Sequence, residues 1–192
     1  KFPDRFYPNN VFGALTVLDV MRENGVKAFV FSSTCATYGE PQKLPMDETH
    51  RQLPVSPDGW SKLMVERMST DIAAAYGSKF AHLRYFNAAG AAPDEGIGER
   101  HEPESHAIPL ALFTLLGRRD GFKIFGSDWD TRDGTCLRDY VHTLDLADAH
   151  VRAIERLLAG GESLNANLGT GDGVTVRELL AAIERVTGRK VP

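Results

Sequence analysis

The sequence predicts an α/β fold that contains part of a doubly wound parallel sheet together with a smaller α/β lobe. Three observations support this. Helical and strand patterns alternate along the 192 residues, the strand patterns are short apolar runs, and glycine and proline fall mostly between the periodic segments. Such alternation is typical of parallel βαβ units, whose ligands bind beyond the carboxyl ends of the strands.

The first half of the chain predicts two helices and two strands. Residues 11–22 place apolar side chains at helical spacing, and Gly25 follows where a left-handed cap would end the helix. Residues 28–32 form a continuous apolar run that predicts a strand buried on both faces of a parallel sheet. A second helix is predicted over 61–76 and a second strand over 82–86.

Polar side chains follow both predicted strands. Ser32, Ser33 and Thr34 follow the first strand, and Asn87 follows the second. Because parallel strands end at the same edge of a sheet, these residues are expected where a doubly wound sheet binds its ligand. The long loop 87–105 is rich in glycine, proline and acidic residues, which marks the crossing into a second lobe.

The rest of the chain predicts further elements of both kinds. They are a helix over 107–117, a strand over 123–125, an amphipathic helix over 144–158, a strand over 166–168 and a helix over 175–186. Thr175 is the expected N-cap of the last helix. The glycine-rich segment 169–173 could cradle a phosphate, but a tight loop between a strand and a helix is the simpler interpretation.

Composition excludes several classes of protein. The formal charge is -4, from 22 Lys+Arg against 26 Asp+Glu, and the scattered basic residues give no footprint for nucleic acid. No apolar run approaches the roughly 20 residues of a membrane span, and no signal-peptide core is present, so a cytoplasmic protein is expected. His101 and His106 lie on a polar loop without an evident third ligand, so no metal site is predicted.

Four segments in order resemble the UDP-glucose 4-epimerases of the extended short-chain dehydrogenase family. They are Asn-Asn at 9–10, Phe-Ser-Ser-Thr-Cys-Ala-Thr-Tyr-Gly at 31–39, Leu-Arg-Tyr-Phe-Asn-Ala-Ala-Gly-Ala at 83–91, and Ile-Phe-Gly at 124–126 with Asp-Gly-Thr-Cys-Leu-Arg-Asp-Tyr at 133–140. The likeness covers essentially the whole chain. The family's N-terminal glycine-rich nucleotide-binding segment and its C-terminal substrate-binding tail have no counterpart here, and no Gly-x-Gly-x-x-Gly occurs.

The resemblance implies a Rossmann-type fold and a defined reaction. Residues 1–90 would form the C-terminal half of an NAD-binding Rossmann domain, and 91–192 mostly a nucleotide-sugar-binding lobe with segments that return to the Rossmann domain. In the family, bound NAD removes a hydride from C4 of a UDP-hexose and returns it to the other face, which interconverts UDP-glucose and UDP-galactose. A homodimer that packs through the helices 11–22 and 61–76 is also implied.

One position departs from the family's catalytic pattern. The reaction needs a general base at the sugar 4-hydroxyl, and the family uses a tyrosine four residues before a lysine. Lys62 occupies the lysine position, but the tyrosine position holds Asp58. Asp58 is shorter and already ionised at neutral pH, so we expect impaired turnover, and it could simply pair with Lys62. Without the resemblance, Asp58 would be interpreted as a solvated turn residue after Pro57. Thr34 corresponds to the family's hydroxyl residue at the sugar 4-oxygen.

The resemblance also assigns binding residues. Contacts to NAD are implied for Asn10, Ser32, Thr34, Lys62, Tyr85 and Phe86. Contacts to the UDP-sugar are implied for Thr34, Asn87, His106, Lys123, Ile124, Phe125 and Arg138, with 123–125 passing the uracil as an edge strand. An arginine fork suits a pyrophosphate oxygen, although Arg138 could instead pair with Asp133 or Asp139.

Three other functions compete with this interpretation. Nucleotide-sugar 4,6-dehydratases carry an Asp-Glu pair after the Ser-Ser-Thr, where this chain has Cys35 and Ala36, so dehydration is excluded. A UDP-pentose or UDP-uronate 4-epimerase stays open, because Ser-Ser-Thr-Cys-Ala-Thr-Tyr-Gly also resembles those relatives. The third possibility is a non-catalytic fragment of the family, which would expose the sheet edge where the missing strands belong.

Overall fold

The structure is a computed structural model that describes residues 3–192. The helices are α1 (Pro3–Phe6), α2 (Gly13–Glu23), α3 (Pro57–Tyr76), α4 (Ala107–Leu115), α5 (Thr143–Leu158) and α6 (Val176–Thr187). The strands are β1 (Ala28–Thr34), β2 (Lys79–Tyr85), β3 (Asn87–Ala89), β4 (Leu137–Arg138), β5 (Tyr140–His142), β6 (Leu164–Leu168) and β7 (Val174–Thr175). The predicted α/β class is confirmed, with a parallel sheet at its centre.

The chain divides into two compact units, each built from two separate stretches of sequence. The first unit comprises Lys1–Phe86 and Asp145–Gly169. The second comprises Asn87–Leu144 and Thr170–Pro192. The chain therefore leaves the first unit directly after β2, and returns to it through α5.

The first unit contains a three-stranded parallel sheet in the order β1-β2-β6. Its core forms where Ala81 and Leu83 of β2 meet Ala153 and Leu157 of α5. Only the central strand β2 is largely buried. The prediction that β1 is buried on both faces was wrong, because β1 pairs with β2 on one side only and most of its side chains stay partly exposed.

Two helices of the first unit begin earlier than the sequence predicted. The helical backbone starts at Pro3, and α1 continues through a π-helical segment, Tyr7–Phe12, into α2. Gly25 follows α2 at φ +67°, the left-handed conformation expected there. The helix α3 starts at Pro57, four residues before the predicted start, because Ser56 caps it by accepting a 3.2 Å hydrogen bond from Gly59 N–H.

The second unit contains two small strand pairs and its own core. The strands β3 and β5 pair in parallel, and β4 and β7 pair antiparallel. The core contains two residues each from α4 and α6: Ala111, Leu115, Leu179 and Ile183. Thr175 is the predicted N-cap of α6, and with Glu178 it forms a reciprocal capping box. Among residues 3–192, none of the helices combines the length and apolarity that crossing a membrane would require.

Candidate functional site

Thr34 lies at the carboxyl end of β1, beside Tyr85 at the end of β2. The Thr34 hydroxyl oxygen accepts a 3.1 Å hydrogen bond from the Ala36 backbone N–H, which starts the short turn Cys35–Thr37. A hydroxyl has one proton to donate and a second lone pair. The turn therefore fixes the side chain and leaves its proton available to a ligand at the strand ends, where the sequence predicted one.

Lys62 extends from α3 to the same strand. Its Nζ donates a 2.9 Å hydrogen bond to the Ser32 carbonyl oxygen and lies 5.0 Å from the centre of the Phe31 ring. Burial lowers the pKa of Lys62, while the charge of Asp58 acts in the opposite direction. An ammonium has three N–H donors, so further donors remain for a ligand after the bond to Ser32 is made.

Asp58 lies in the first turn of α3 and is half-buried. It is therefore a helical residue, and the interpretation of Asp58 as a turn residue after Pro57 was wrong. A carboxylate in the first helical turn interacts favourably with the helix dipole. The possible ion pair with Lys62 does not form within residues 3–192, where no salt bridge at 4.0 Å or less joins the two side chains. The Lys62 ammonium points instead to the Ser32 carbonyl.

Two of the residues predicted to bind NAD make contacts that the sequence did not reveal. Asn10 lies inside the π-helical segment, where its Nδ2 donates a 2.9 Å hydrogen bond to Ser61 Oγ. Asn10 therefore lies within the helical segment and does not cap a helix. The Ser32 hydroxyl lies 2.7 Å from Nε2 of His150 on α5. These contacts fix Asn10 and Ser32 within the first unit, but sequence spacing gave no signal for Ser61 or His150 as their partners.

Tyr85 and Phe86 lie at the end of β2, and both are half-buried. The Tyr85 ring centroid is 6.4 Å from that of His150. Phe86 falls just outside the strand, although its backbone N–H still donates a 3.3 Å hydrogen bond to Leu168 O. The structure thus places both predicted residues at the strand ends, in the same unit as Thr34 and Lys62.

Sequence reasoning missed a buried ion pair that binds Ser33, the residue before Thr34. Arg84 of β2 donates two hydrogen bonds, of 3.0 and 2.7 Å, to the Glu66 carboxylate on α3, and each side chain is only 4% exposed. The Ser33 hydroxyl and the Gln52 amide also donate to Glu66. Burial by itself raises the pKa of Glu66, but hydrogen bonds from Arg84, Ser33 and Gln52 outweigh it and lower the pKa below its ordinary value.

This pair extends into a polar network beneath the Ser-Ser-Thr segment. Arg84 Nη1 donates a 3.0 Å hydrogen bond to the Tyr38 hydroxyl, which in turn donates to Asn167 Oδ1 at 2.6 Å. Among the described residues, no buried side-chain nitrogen or oxygen lacks a partner. Glu66 lies four residues after Lys62 on the same helix. One face of α3 therefore carries both the candidate catalytic lysine and the carboxylate that binds Ser33.

Two of the residues predicted to bind the nucleotide sugar, Asn87 and Arg138, lie in the second unit. Asn87 is exposed in β3, and its backbone N–H bonds Asp139 O at 2.9 Å. The Arg138 guanidinium is exposed and donates to Leu137 O at 2.7 Å. The alternative salt bridge of Arg138 does not form, since no carboxylate within residues 3–192 lies 4.0 Å or less from it. The guanidinium can therefore receive an anion.

The glycine-rich segment has an internal partner. The backbone N–H groups of Thr170 and Gly171 donate to the carboxylate of Asp139, as does the Thr170 hydroxyl. These donors would be the ones to cradle a phosphate. Because Asp139 already binds them, the structure favours the simpler interpretation as a loop that connects β6 to α6 through β7.

The predicted strand over 123–125 was wrong. Lys123, Ile124 and Phe125 are exposed, and they belong to none of the strands that the described residues form. The apolar pair suggested a strand, but Phe125 is 81% exposed and has no buried face to pack. His106 precedes α4, and its Nδ1 lies 2.9 Å from Glu104 and 3.2 Å from Glu99.

Comparisons with known proteins find relatives of the whole chain. Residues 1–169 match the NAD dependent epimerase/dehydratase family. A UDP-glucose 4-epimerase of Rhizobium leguminosarum bv. trifolii is 61% identical over 193 residues, which is 100% of this chain and 59% of that protein. A crystal structure of UDP-glucose 4-epimerase from Brucella ovis in complex with NAD is 48% identical, with a TM-score of 0.96 over 100% of this chain and 59% of that chain.

A third relative was solved with two ligands. It is a UDP-glucose-4-epimerase from Stenotrophomonas maltophila with bound NAD and formylated UDP-arabinopyranose, 39% identical with a TM-score of 0.96, and this chain covers 58% of it. The chain thus spans somewhat more than half the length of these relatives. The family match extends from residue 1 to residue 169 and includes the ends of β1 and β2 and all of α5. The chain therefore belongs to the NAD-dependent epimerase/dehydratase family.

Proposed function

We propose that the protein containing this chain is a UDP-glucose 4-epimerase, which interconverts UDP-glucose and UDP-galactose through transient oxidation at C4, and that Asp58 impairs its turnover. The observation that carries this proposal is the contact between Lys62 and Ser32 O, at the strand end that also holds Thr34. The similarity to UDP-glucose 4-epimerases in sequence and in fold supports it. We also propose a cytoplasmic location.

The hydrogen-bond donors at the ends of β1 and β2 suit the ribose hydroxyls of a dinucleotide. Lys62 has N–H donors left after its bond to Ser32, and Asn10 is held nearby through Ser61 of the same helix. Phe86 and Tyr85 offer half-buried aromatic surface to a nicotinamide. NAD, when bound, would accept the C4 hydride and return it.

The chain's own residues would handle the proton. Removal of the C4 hydride requires the 4-hydroxyl to lose its proton, so a base must lie within hydrogen-bond reach of that oxygen. Thr34 can accept and relay the proton through its hydroxyl, and the positive charge of Lys62 stabilises a nearby anion. A carboxylate at position 58 can accept a proton at neutral pH but is poorly suited to return it, since its reference pKa is about 3.9.

We propose that the second unit supplies the contacts to the nucleotide sugar. Arg138 would bind a pyrophosphate oxygen, because its guanidinium is exposed and has no carboxylate partner within 4.0 Å among residues 3–192. Asn87 and His106 are also exposed side chains with polar atoms. Lys123, Ile124 and Phe125 would contact the uracil from a loop, not from an edge strand.

The proposed activity is tested in a full-length chimera, in which this chain replaces the matched 193 residues of the Rhizobium leguminosarum relative. The chimera carries Asp58→Tyr, and conversion of UDP-galactose to UDP-glucose is measured. Conversion supports the proposal. If the chimera binds NAD but converts neither UDP-galactose nor UDP-glucose, the proposed substrate is wrong. UDP-pentoses are then assayed, since one relative was solved with formylated UDP-arabinopyranose.

Lys62→Met in the same chimera is expected to lower NAD affinity and kcat. Loss of a charged hydrogen-bond donor costs about 1.5–3 kcal/mol, which corresponds to roughly 10- to 150-fold in affinity. The matched control is Lys27→Met, because Lys27 also donates a 2.9 Å hydrogen bond to a backbone carbonyl, that of Tyr76, in an exposed position. NAD binding is measured by fluorescence titration and kcat by the epimerase assay. Equal effects of the two substitutions would contradict the assigned role of Lys62.

We also propose a homodimer that packs through α2 and α3. Both helices expose large apolar side chains, including Val17 and Val20 on α2 and Trp60 and Met64 on α3. Exposed large apolar side chains favour association when they lie together on a surface. Light scattering after size exclusion is expected to give twice the chain mass, and Val20→Glu is expected to give the monomer. A wild-type monomer at micromolar concentration would contradict the proposal.

A further inference from the structure

Four potential metal ligands converge on one loop of the second unit. The side chains of Glu99, His101, Glu104 and His106 each offer one ligand atom, and these atoms all lie within 4.8 Å of one another. The sequence predicted no metal site because the two histidines lacked a third ligand. The structure supplies a third and a fourth ligand, because the loop brings both glutamates to the histidines.

The distances within this cluster are close to those of a tetrahedral metal site. His106 Nδ1 lies 2.9 Å from Glu104 Oε1 and 3.2 Å from Glu99 Oε1, and His101 Nδ1 lies 3.6 Å from Glu104 Oε1. With bonds of about 2.0–2.1 Å, tetrahedral ligand atoms are roughly 3.3–3.4 Å apart. Movements of a few tenths of an ångström in mostly exposed side chains would bring these three pairs to that separation.

Hydrogen bonding alone satisfies the cluster poorly. His106 Nδ1 carries at most one proton, yet it faces carboxylate oxygens of both Glu99 and Glu104. Glu104 Oε1 in turn faces the Nδ1 atoms of both His101 and His106. With neutral imidazoles the four side chains carry two negative charges. A divalent cation at the centre would neutralise this charge and could bind one lone pair from each of the four side chains.

Glu104 already has the support that a metal ligand requires. Its Oε1 accepts hydrogen bonds of 2.7 and 2.8 Å from the backbone N–H groups of Ser105 and His106, and its side chain is only 8% exposed. Ligating carboxylates are commonly held by such outer hydrogen bonds, which fix their orientation. The same oxygen faces the Nδ1 atoms of His101 and His106, so the backbone bonds hold it at the cluster.

We propose that Glu99, His101, Glu104 and His106 form a binding site for a divalent transition-metal ion of the zinc class. Two imidazoles with two carboxylates favour Zn²⁺ over Mg²⁺, since Mg²⁺ prefers oxygen ligands and octahedral geometry. The site shares His106 with the proposed nucleotide-sugar contacts, but its test measures metal binding alone, so its failure is distinguishable from a failure of the proposed epimerase activity.

The test is a calorimetric titration of the chelator-treated 192-residue chain with ZnCl₂, with MgCl₂ in parallel. One Zn²⁺ per chain is expected, with no measurable heat from Mg²⁺. Glu99→Gln and His101→Gln are each expected to weaken Zn²⁺ binding at least about tenfold. The matched control is Glu102→Gln, because Glu102 is exposed on the same loop and lies 3.8 Å from Arg100, outside the cluster. This control is expected to bind Zn²⁺ as the wild type does.

Three outcomes would overturn the proposal. One is the absence of saturable Zn²⁺ binding by a chain whose circular dichroism shows it folded. Another is unchanged binding by both Glu99→Gln and His101→Gln. The third is loss of binding after alkylation of the two cysteines, Cys35 and Cys136, which form no disulfide; that result would assign the metal to cysteine. Co²⁺ provides a spectroscopic check, because a tetrahedral site of this composition gives visible absorption without a thiolate charge-transfer band.

Discussion

Asp58→Tyr is expected to raise the epimerase turnover of the full-length chimera by about 10²- to 10⁴-fold, the usual contribution of a correctly placed general base. The structure gives two reasons for the low activity expected with aspartate. The Asp58 side chain is several atoms shorter than a tyrosine, and it makes no ion pair with Lys62 within the described residues. Lys62 is already held at the end of β1 by its bond to the Ser32 carbonyl. The ammonium that stabilises a phenolate at position 58 is therefore already present.

Two control substitutions separate the possible causes. Asp58→Phe restores an aromatic ring without an ionisable group and is expected to remain as slow as the Asp58 chimera. Asp58→Asn tests whether the carboxylate itself serves as a weak base, in which case turnover falls further. Turnover of UDP-galactose is measured from pH 6 to 9, where the Tyr variant is expected to gain rate as its phenol ionises below the ordinary value of about 10. An Asp58 chimera as fast as the Tyr variant would remove position 58 from the mechanism.

Arg84→Met is expected to destabilise the chain by about 3–5 kcal/mol, because it leaves the Glu66 carboxylate buried without its counter-ion. Each partner is 4% exposed, and two hydrogen bonds of 2.7 and 3.0 Å join them. The matched control is Arg152→Met, which breaks an exposed i,i+4 pair with Asp148 at 2.6 Å. Exposed pairs of this kind contribute about 0–1 kcal/mol. Urea denaturation followed by circular dichroism gives both values.

The dependence of this effect on pH has a definite sign. In the wild type the folded-state pKa of Glu66 lies below its ordinary value. The stabilisation of the fold by ionised Glu66 is therefore complete above the ordinary glutamate pKa. It is lost as the pH falls through the lowered, folded-state pKa. In Arg84→Met, burial without the guanidinium raises the pKa, so protonation of Glu66 stabilises the folded state. The difference in free energy of unfolding between the wild type and Arg84→Met should therefore narrow as the pH is lowered from 7 to 4.

A variant that fails to fold at pH 7 still leaves the hypothesis open to test. Glu66→Gln/Arg84→Met removes the unpaired charge together with the guanidinium, and it should recover a substantial part of the lost stability. Similar stabilities for Arg84→Met and Arg152→Met would show that the buried pair contributes no more than a surface pair.

Sequence reasoning succeeded where the signal is local. The apolar periodicity of α5 and α6 and the Thr175 cap depend on neighbouring residues, so their positions could be predicted. The polar ends of β1 and β2 followed from the direction of parallel strands, and register then placed Thr34 beside Tyr85. The departure at Asp58 was visible because the motif around it is short and contiguous.

The errors and omissions have a common physical cause, which is that burial and pairing are not local properties. Residues 123–125 have the apolar composition of a strand, but no partner strand covers them. Glu66 and Arg84 are 18 residues apart on different elements, so nothing in their spacing indicates a pair. The same holds for Ser32 and His150, 118 residues apart. The proximity of Glu99 and Glu104 to the two histidines depends on the path of an irregular loop.

The discontinuity of the first unit also has a consequence for folding during synthesis. His82 on β2 hydrogen-bonds Asn165 on β6, and the two are 83 residues apart. At about 5–20 residues per second, a ribosome needs roughly 4–17 s to add the residues between them. During that interval β2 has β1 as its only neighbour in the sheet, and its other edge is open to pairing with another nascent chain. The arrival of β6 closes that edge, so protection from misassembly begins only after most of the second unit has been made.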